Sequence, residues 1–173
     1  MKAILACLAI LVLAGCASGI EPRSDTTASQ IIGPSQPVRA VTISFTPAAQ
    51  NELADNLKFN QNVLVDRVVR ALQARSQYNA SSPSGDSIEI QMTDIRIRSN
   101  FNAFMFGFMA GADKLAGDVY LRDASGKVVN HFSVYADYAL GGLAGASDEA
   151  RMGWLYDKFS QLLIQHLLGM PTT

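Results

Sequence analysis

Three successive stretches in the second half of the chain alternate apolar and polar side chains, at residues 88–97, 115–122 and 128–138. Alternation with a period of two is typical of strands that bury one face. The turn cluster at residues 123–127 contains Gly126, which favours a hairpin between the second and third stretches. Because such neighbouring strands usually pair with each other, we expect the three to form an antiparallel meander.

The first of these stretches cannot be a regular strand, because its apolar residues change phase. Those up to Met92 share one face, whereas Ile95 and Ile97 fall on the other. With a strict period of two, one of the two sets would be left in solvent. A β-bulge near Thr93-Asp94 returns both sets to the same face, and we therefore expect a bulge at that point.

Two amphipathic helices complete the predicted domain. A strand at residues 41–45 precedes the first helix, whose apolar residues recur at helical spacing from Pro47 to about residue 75. The last helix begins after Ser147, a residue type that caps helix N-termini, and ends near Gly169. The order β-α-β-β-β-α predicts an α+β fold. We expect a two-layer sandwich in which a mostly antiparallel four-stranded sheet carries two helices on one face.

The N-terminus carries the pattern of an exported lipoprotein. A positively charged start precedes an apolar run at residues 4–13, which is too short to span a membrane and fits a signal peptide over residues 1–15. The tetrapeptide LAGC, which ends at Cys16, resembles the bacterial lipobox. That resemblance implies cleavage before Cys16, acylation of its sulfur with fatty acids such as palmitate, and attachment to a membrane. Ala17 stands where an aspartate would favour the inner membrane, so the resemblance points to the outer membrane with the domain facing the periplasm.

After the cleavage site the chain is predicted to divide into a tether and one domain. Residues 16–40 are rich in Ser, Thr, Pro and Gly without any period, which predicts a lipidated N-terminus on a flexible coil. Residues 41–170 hold all the predicted elements and suit a single α/β periplasmic domain. Cys7 lies in the signal peptide and Cys16 is the acylated residue, so we expect no disulfide in the domain.

The most apolar connection is the Phe-rich segment, residues 101–112, which holds half of the chain's eight phenylalanines. The expected topology places it with the Gly-rich segment, residues 140–146, at the end of the sheet away from the tether. Three interpretations are open: a plug that closes the core, a surface that binds a partner or a second copy, and a segment that inserts into lipid. The candidate partner-binding residues are Phe101, Phe104, Met105, Phe106, Phe108, Met109, Gly141, Gly142 and Leu143.

Several other classes of function lack a signal in the sequence. The formal net charge is −1 and no window carries a run of Lys or Arg, so we expect no nucleic-acid partner. His131 and His166 lie on different predicted elements and the domain has no cysteine, so we expect no metal and no other cofactor. An envelope-polymer hydrolase with Asp118 or Asp137 as the acid is the least supported alternative, because no catalytic motif accompanies these carboxylates.

Residues 104–145, together with the lipobox, resemble proteobacterial envelope lipoproteins that carry a domain of unknown function. The shared features are the Gly107-xxx-Gly111 spacing, a strand, the turn at Gly126-Lys127, a second strand and a Gly-rich loop. The layout is also similar to that of YajG-type lipoproteins. The resemblance implies an envelope lipoprotein without known catalysis, and it supplies no functional residues.

We therefore expect a non-enzymatic binding or assembly role in the cell envelope. The expected partners are the membrane, through the N-terminal lipid, and an envelope protein or a second copy of the chain. The alternative is a carrier of lipid or another apolar ligand, which would need a cavity between the sheet and the helices.

Overall fold

A computed structural model describes residues 18–23, 32, 36–55, 58–97, 112–138 and 147–171. Five strands and three helices lie within these ranges. The strands are β1 (Gly19–Pro22), β2 (Val38–Phe45), β3 (Asp86–Arg96), β4 (Asp113–Arg122) and β5 (Val128–Tyr138). The helices are α1 (Pro47–Asp55), α2 (Gln61–Gln73) and α3 (Asp148–Leu167).

The strands form one mixed sheet in the order β1-β5-β4-β3-β2. The antiparallel meander of β3, β4 and β5 is confirmed, as is the parallel pairing of β2 with β3 that follows from the helical crossover. The fold is therefore α+β, as predicted. The sheet has five strands rather than four, because β1 pairs with β5 at the edge.

The expected β-bulge lies in β3, where the register against β4 shifts between Met92 and Asp94. Met92 and Ile95 are both fully buried, so the bulge returns the second apolar set to the core face. The backbone N–H of Ile95 donates a hydrogen bond to Glu52 Oε2 of α1 at 2.6 Å. The hairpin turn is also confirmed, with Gly126 at a φ of +86°, a conformation that favours glycine.

The single helix predicted from residue 47 to about residue 75 is in fact two helices, α1 and α2. Asn60 ends the connection, and its Oδ1 accepts hydrogen bonds from the N–H groups two and three residues later at 3.0 and 3.4 Å. This is the geometry of an N-cap, for which asparagine is among the preferred residues. Phe59, just before the cap, packs edge-to-face on Phe45 and Tyr156. The connection between α1 and α2 thus places the Phe59 ring against strand β2 and helix α3.

The predicted flexible tether over residues 16–40 is wrong for several of its residues. Gly19–Pro22 is the edge strand β1, Ile32 is 4% exposed and its N–H binds the Leu167 carbonyl at 2.8 Å, and Val38 begins β2. The physical reason is the edge of β5, whose backbone groups would otherwise lack strand partners. The folded domain therefore includes Ser18 to Arg23 and does not begin at residue 41.

The core lies between the sheet and the three helices, where the carrier hypothesis requires a cavity. Apolar side chains occupy this layer, and those of α3 lie along one side of the helix as the sequence predicts. The opposite face of the sheet carries polar and aromatic side chains at intermediate exposure. The largest fully buried apolar side chains are Phe132, Phe159, Leu64, Leu72, Ile88, Ile90, Met92, Ile95, Leu115, Leu121 and Leu155.

Candidate functional site

The site residues predicted from the sequence lie outside the described residues. This holds for the acylation site Cys16, for the Phe-rich candidates and for the Gly-rich candidates. The strand ends that flank the two segments are described, however. The structure therefore locates where both segments join the sheet, although it does not describe the segments themselves.

Both segments join the same end of the sheet. Arg96 at the end of β3 pairs with Lys114, and Asp113 at the start of β4 pairs with Tyr138 at the end of β5. The prediction that the two connections meet at one end is therefore confirmed by the strand register.

The N-terminal strand begins at this same end. Ser18 Oγ accepts a hydrogen bond from the backbone N–H of Asp137 at 3.0 Å and donates to the Asp137 carbonyl at 3.5 Å. The expectation that the two segments lie away from the N-terminal attachment is therefore wrong. It overlooked β1, which runs antiparallel to β5 and brings the N-terminus back to the last residues of β5. We call this end of the sheet, marked by Ser18, Arg96, Asp113 and Tyr138, the Ser18 end.

A buried ion-pair cluster holds helix α3 onto the Ser18 end. Arg151 Nε lies 2.8 Å from Asp113 Oδ2, and Arg151 Nη2 lies 2.8 Å from Asp148 Oδ1. The three side chains are at most 4% exposed. The half-exposed ammonium of Lys58 forms an ion pair with the other Asp148 oxygen. Two carboxylates and two cations balance in charge, which is the condition under which ions are tolerated in a protein interior.

Sequence reasoning missed this cluster. The spacing of Asp148 and Arg151 is a local signal for an ion pair on one helix face. The partner Asp113 is remote in sequence, and Arg151 stands beside the apolar residue Met152, so nothing local distinguishes it from a solvated arginine. The cluster fixes Asp113 and Asp148, the first residues of β4 and α3, which follow the two apolar segments in the chain.

A partly buried tyrosine and an exposed tryptophan also form a pair at the Ser18 end. The indole of Trp154 is centred 5.3 Å from the Tyr138 ring in an edge-to-face arrangement. Trp154 is 37% exposed, and among the described residues only Met170 is also a large exposed apolar side chain. A partly exposed indole combines an apolar ring with a polar N–H, as at protein and membrane interfaces.

The open face of the sheet carries the two carboxylates considered as hydrolase acids, beside a groove of about 280 Å³. Asp118 accepts a hydrogen bond from Ser133 Oγ, and its carboxylate lies 3.5 Å from Arg23 Nη2. Burial raises the pKa of Asp137, while the charges of Lys114 and Arg96 act in the opposite direction. Of the two, Asp118 is therefore already paired with Ser133 of β5 and with Arg23, the residue after β1.

Within the described residues, no group of three or more His, Cys, Asp or Glu side chains could hold a metal ion. None of the three helices in those ranges combines the length and the hydropathy that crossing a bilayer requires.

The chain matches a family model described as "Domain of unknown function (DUF4410)" over residues 21–142. No curated protein matches it significantly.

Among solved structures, a variant of the PelC dodecamer from Paraburkholderia phytofirmans is similar with a TM-score of 0.46 and 12% identity, covering 91% of this chain and 99% of that one. A minor lipoprotein from Acinetobacter baumannii is similar with a TM-score of 0.45 and 9% identity, over 78% of this chain and 93% of that one. A DUF330 protein from Xanthomonas campestris is similar with a TM-score of 0.30 and 15% identity, over 83% of this chain and 89% of that one.

Proposed function

Since this chain belongs to the DUF4410 family, a domain of unknown function, we propose its role from its own sequence and geometry. We infer that it is a non-enzymatic lipoprotein of the cell envelope, held to the outer membrane by acyl chains on Cys16. The domain faces the periplasm and binds an envelope protein or a second copy of itself. The binding surface comprises the Phe-rich and Gly-rich segments.

The observation that carries this proposal is that the strand ends joined by both segments lie at the Ser18 end. The two apolar segments are separated by 27 residues, 113–139, and they join neighbouring strand ends in one sheet. Surfaces that bind proteins are enriched in Phe and Met, and contiguous apolar patches on small domains mark such surfaces. A single patch built from both segments would therefore be larger than either alone.

The buried ion-pair cluster supports a binding role for this end. Arg151 connects Asp113 and Asp148, so the bases of the two segments are fixed relative to each other. A binding surface loses less conformational entropy on association when its supports are already rigid. The described carboxylates of the cluster are neutralised by cations and are thereby committed to the fold, which favours binding over acid–base chemistry.

The test is a triple substitution, Phe104→Ser, Phe106→Ser and Phe108→Ser, in the full chain. We expect the variant to lose the partner that co-purifies with the native protein, with a thermal midpoint within a few degrees of the native value. A collapse of the thermal transition would contradict the proposal, because it would assign the phenylalanines to the core.

A matched crosslinking experiment compares two positions in cells. A photoreactive residue at position 106 should form a specific adduct, whereas the same residue at Ala124, in the exposed hairpin turn at the opposite end of the sheet, should not. The same adducts from both positions, or none from position 106, would contradict the proposal.

A further inference from the structure

We propose that the acylated protein lies with its Ser18 end directly against the bilayer surface, with Trp154 at the level of the lipid headgroups. This inference rests on the acylation of Cys16 in the proposed function. It assigns the membrane to the surface around Trp154. The partner bound by the Phe-rich and Gly-rich segments, which join the same end, would then lie beside the bilayer.

The first argument is the length of chain between the anchor and the domain. Ser18 is fixed to Asp137 by two hydrogen bonds, and the next four residues are strand β1. Cys16 is two residues before Ser18, and two residues span at most about 7 Å. A flexible tether over residues 16–40 would have reached about 25 Å and allowed the domain to turn. With the short connection, the acyl chains enter the bilayer beside the Ser18 end.

The second argument is the exposed indole at the same end. Trp154 contacts Tyr138, which follows directly after the Asp137 that binds Ser18. Trp and Tyr are enriched at the membrane–water interface, where the apolar ring meets acyl chains and the polar atom meets the headgroups. Trp154 and Tyr138 therefore provide amphipathic side chains at the end of the sheet that the anchor holds against the lipid.

The charges of this end indicate how the contact is made. Lys58 forms an ion pair with Asp148, and Lys114 lies 2.8 Å from Asp94. The exposed Arg96 donates a hydrogen bond to the Ala112 carbonyl at 3.2 Å, and its charge acts on Asp137. Paired cations give little net attraction to anionic lipid, in contrast to the unpaired basic clusters that bind such membranes. We therefore expect the contact with lipid to persist in neutral vesicles and at high salt.

The experiment uses the fluorescence of Trp154, the only tryptophan of the chain. The full acylated protein is reconstituted into phosphatidylcholine vesicles, with and without bromine on the acyl chains of the lipid, after mass spectrometry of the N-terminal peptide. We expect bromine to reduce the emission by about half and aqueous iodide to have little effect, because the indole lies at the interface.

A reporter at the opposite end is the matched control. The variant W154F/A124W moves the only tryptophan to the exposed hairpin turn, and its emission should be insensitive to brominated lipid and fully accessible to iodide. Equal quenching at the two positions, or no lipid quenching at Trp154, would overturn the orientation. An unacylated Cys16 would overturn the anchor and with it this inference. Loss of partner binding in the phenylalanine variant, by contrast, tests the proposed function alone.

Discussion

The guanidinium of Arg151 lies 2.8 Å from the carboxylate of Asp113, and the two side chains are 1% and 0% exposed. The contact joins the first turn of α3 to the first residue of β4. Each ion has lost its hydration on folding and is compensated by the opposite charges of the cluster. Removing one member leaves the others charged and buried, so the cost of a substitution here exceeds the stabilisation that the pair itself contributes.

The first prediction concerns Arg151→Met, which keeps an unbranched but shorter side chain and removes its charge. We expect the free energy of unfolding to fall by about 3–5 kcal/mol, because Asp113 and Asp148 lose their buried partner. Urea denaturation measures the loss. The control is Arg70→Met, which removes an exposed ion pair with Asp66 on α2 and should cost less than about 1 kcal/mol. Equal losses in the two variants would contradict this account of the cluster.

The second prediction compares two glycines. A Cβ added at Gly153 in α3 would have no described heavy atom within 4 Å, so Gly153→Ala should raise the free energy of unfolding by about 1 kcal/mol through helix propensity. A Cβ at Gly85 would lie 2.7 Å from the Pro37 carbonyl oxygen, and Gly85→Ala should be destabilising, because that neighbour is backbone. Thermal unfolding of the two variants measures both signs. A lowered midpoint for Gly153→Ala would show that this helix position is more crowded than described.

The sheet was largely predictable because its strongest signals are local. Alternation revealed β3, β4 and β5, and the change of phase after Met92 located the bulge before any pairing was known. Strand β1 was missed because Gly19–Pro22 is too short for a period to register, and its pairing with β5 depends on a partner more than a hundred residues away. The break between α1 and α2 was missed because the apolar spacing continues across it, while the cap at Asn60 is a side-chain geometry.

The candidate site was less predictable than the fold. The topology correctly placed the two apolar segments at one end of the sheet, but the missed strand β1 reversed their relation to the N-terminus. The ion pair of Arg151 with Asp113 has no local signature, since it depends on how α3 packs on the start of β4. Such errors arise from non-local contacts, which sequence periodicity does not encode.

The third prediction is a dependence of stability on pH through His166. Burial against the core, where its ring is centred 4.1 Å from that of Phe132, lowers the pKa of His166 below its ordinary value of 6.5. The unfolded chain then binds a proton at higher pH than the folded one. The free energy of unfolding should therefore decrease as the pH falls through 6.5, and stay level above it.

Urea denaturation between about pH 8 and pH 5 measures this dependence. In His166→Leu the contribution of this residue is absent, so the difference in stability between the variant and the native protein should grow as the pH falls. A difference that stays constant over the whole range would contradict the assignment to His166.

The last prediction concerns the contact between α1 and the bulge. Ile95 is buried and lies just after the register shift in β3. Its backbone N–H donates a hydrogen bond to Glu52 Oε2 at 2.6 Å. Glu52→Ala removes this acceptor, and we expect a loss of about 1–3 kcal/mol in the free energy of unfolding. Glu52→Gln keeps an amide oxygen at the same position and should retain most of the stability. Hydrogen exchange at the Ile95 amide should accelerate in the alanine variant and much less in the glutamine variant. If the two variants behave alike, the bulge is stabilised by the packing of Met92 and Ile95 rather than by this hydrogen bond.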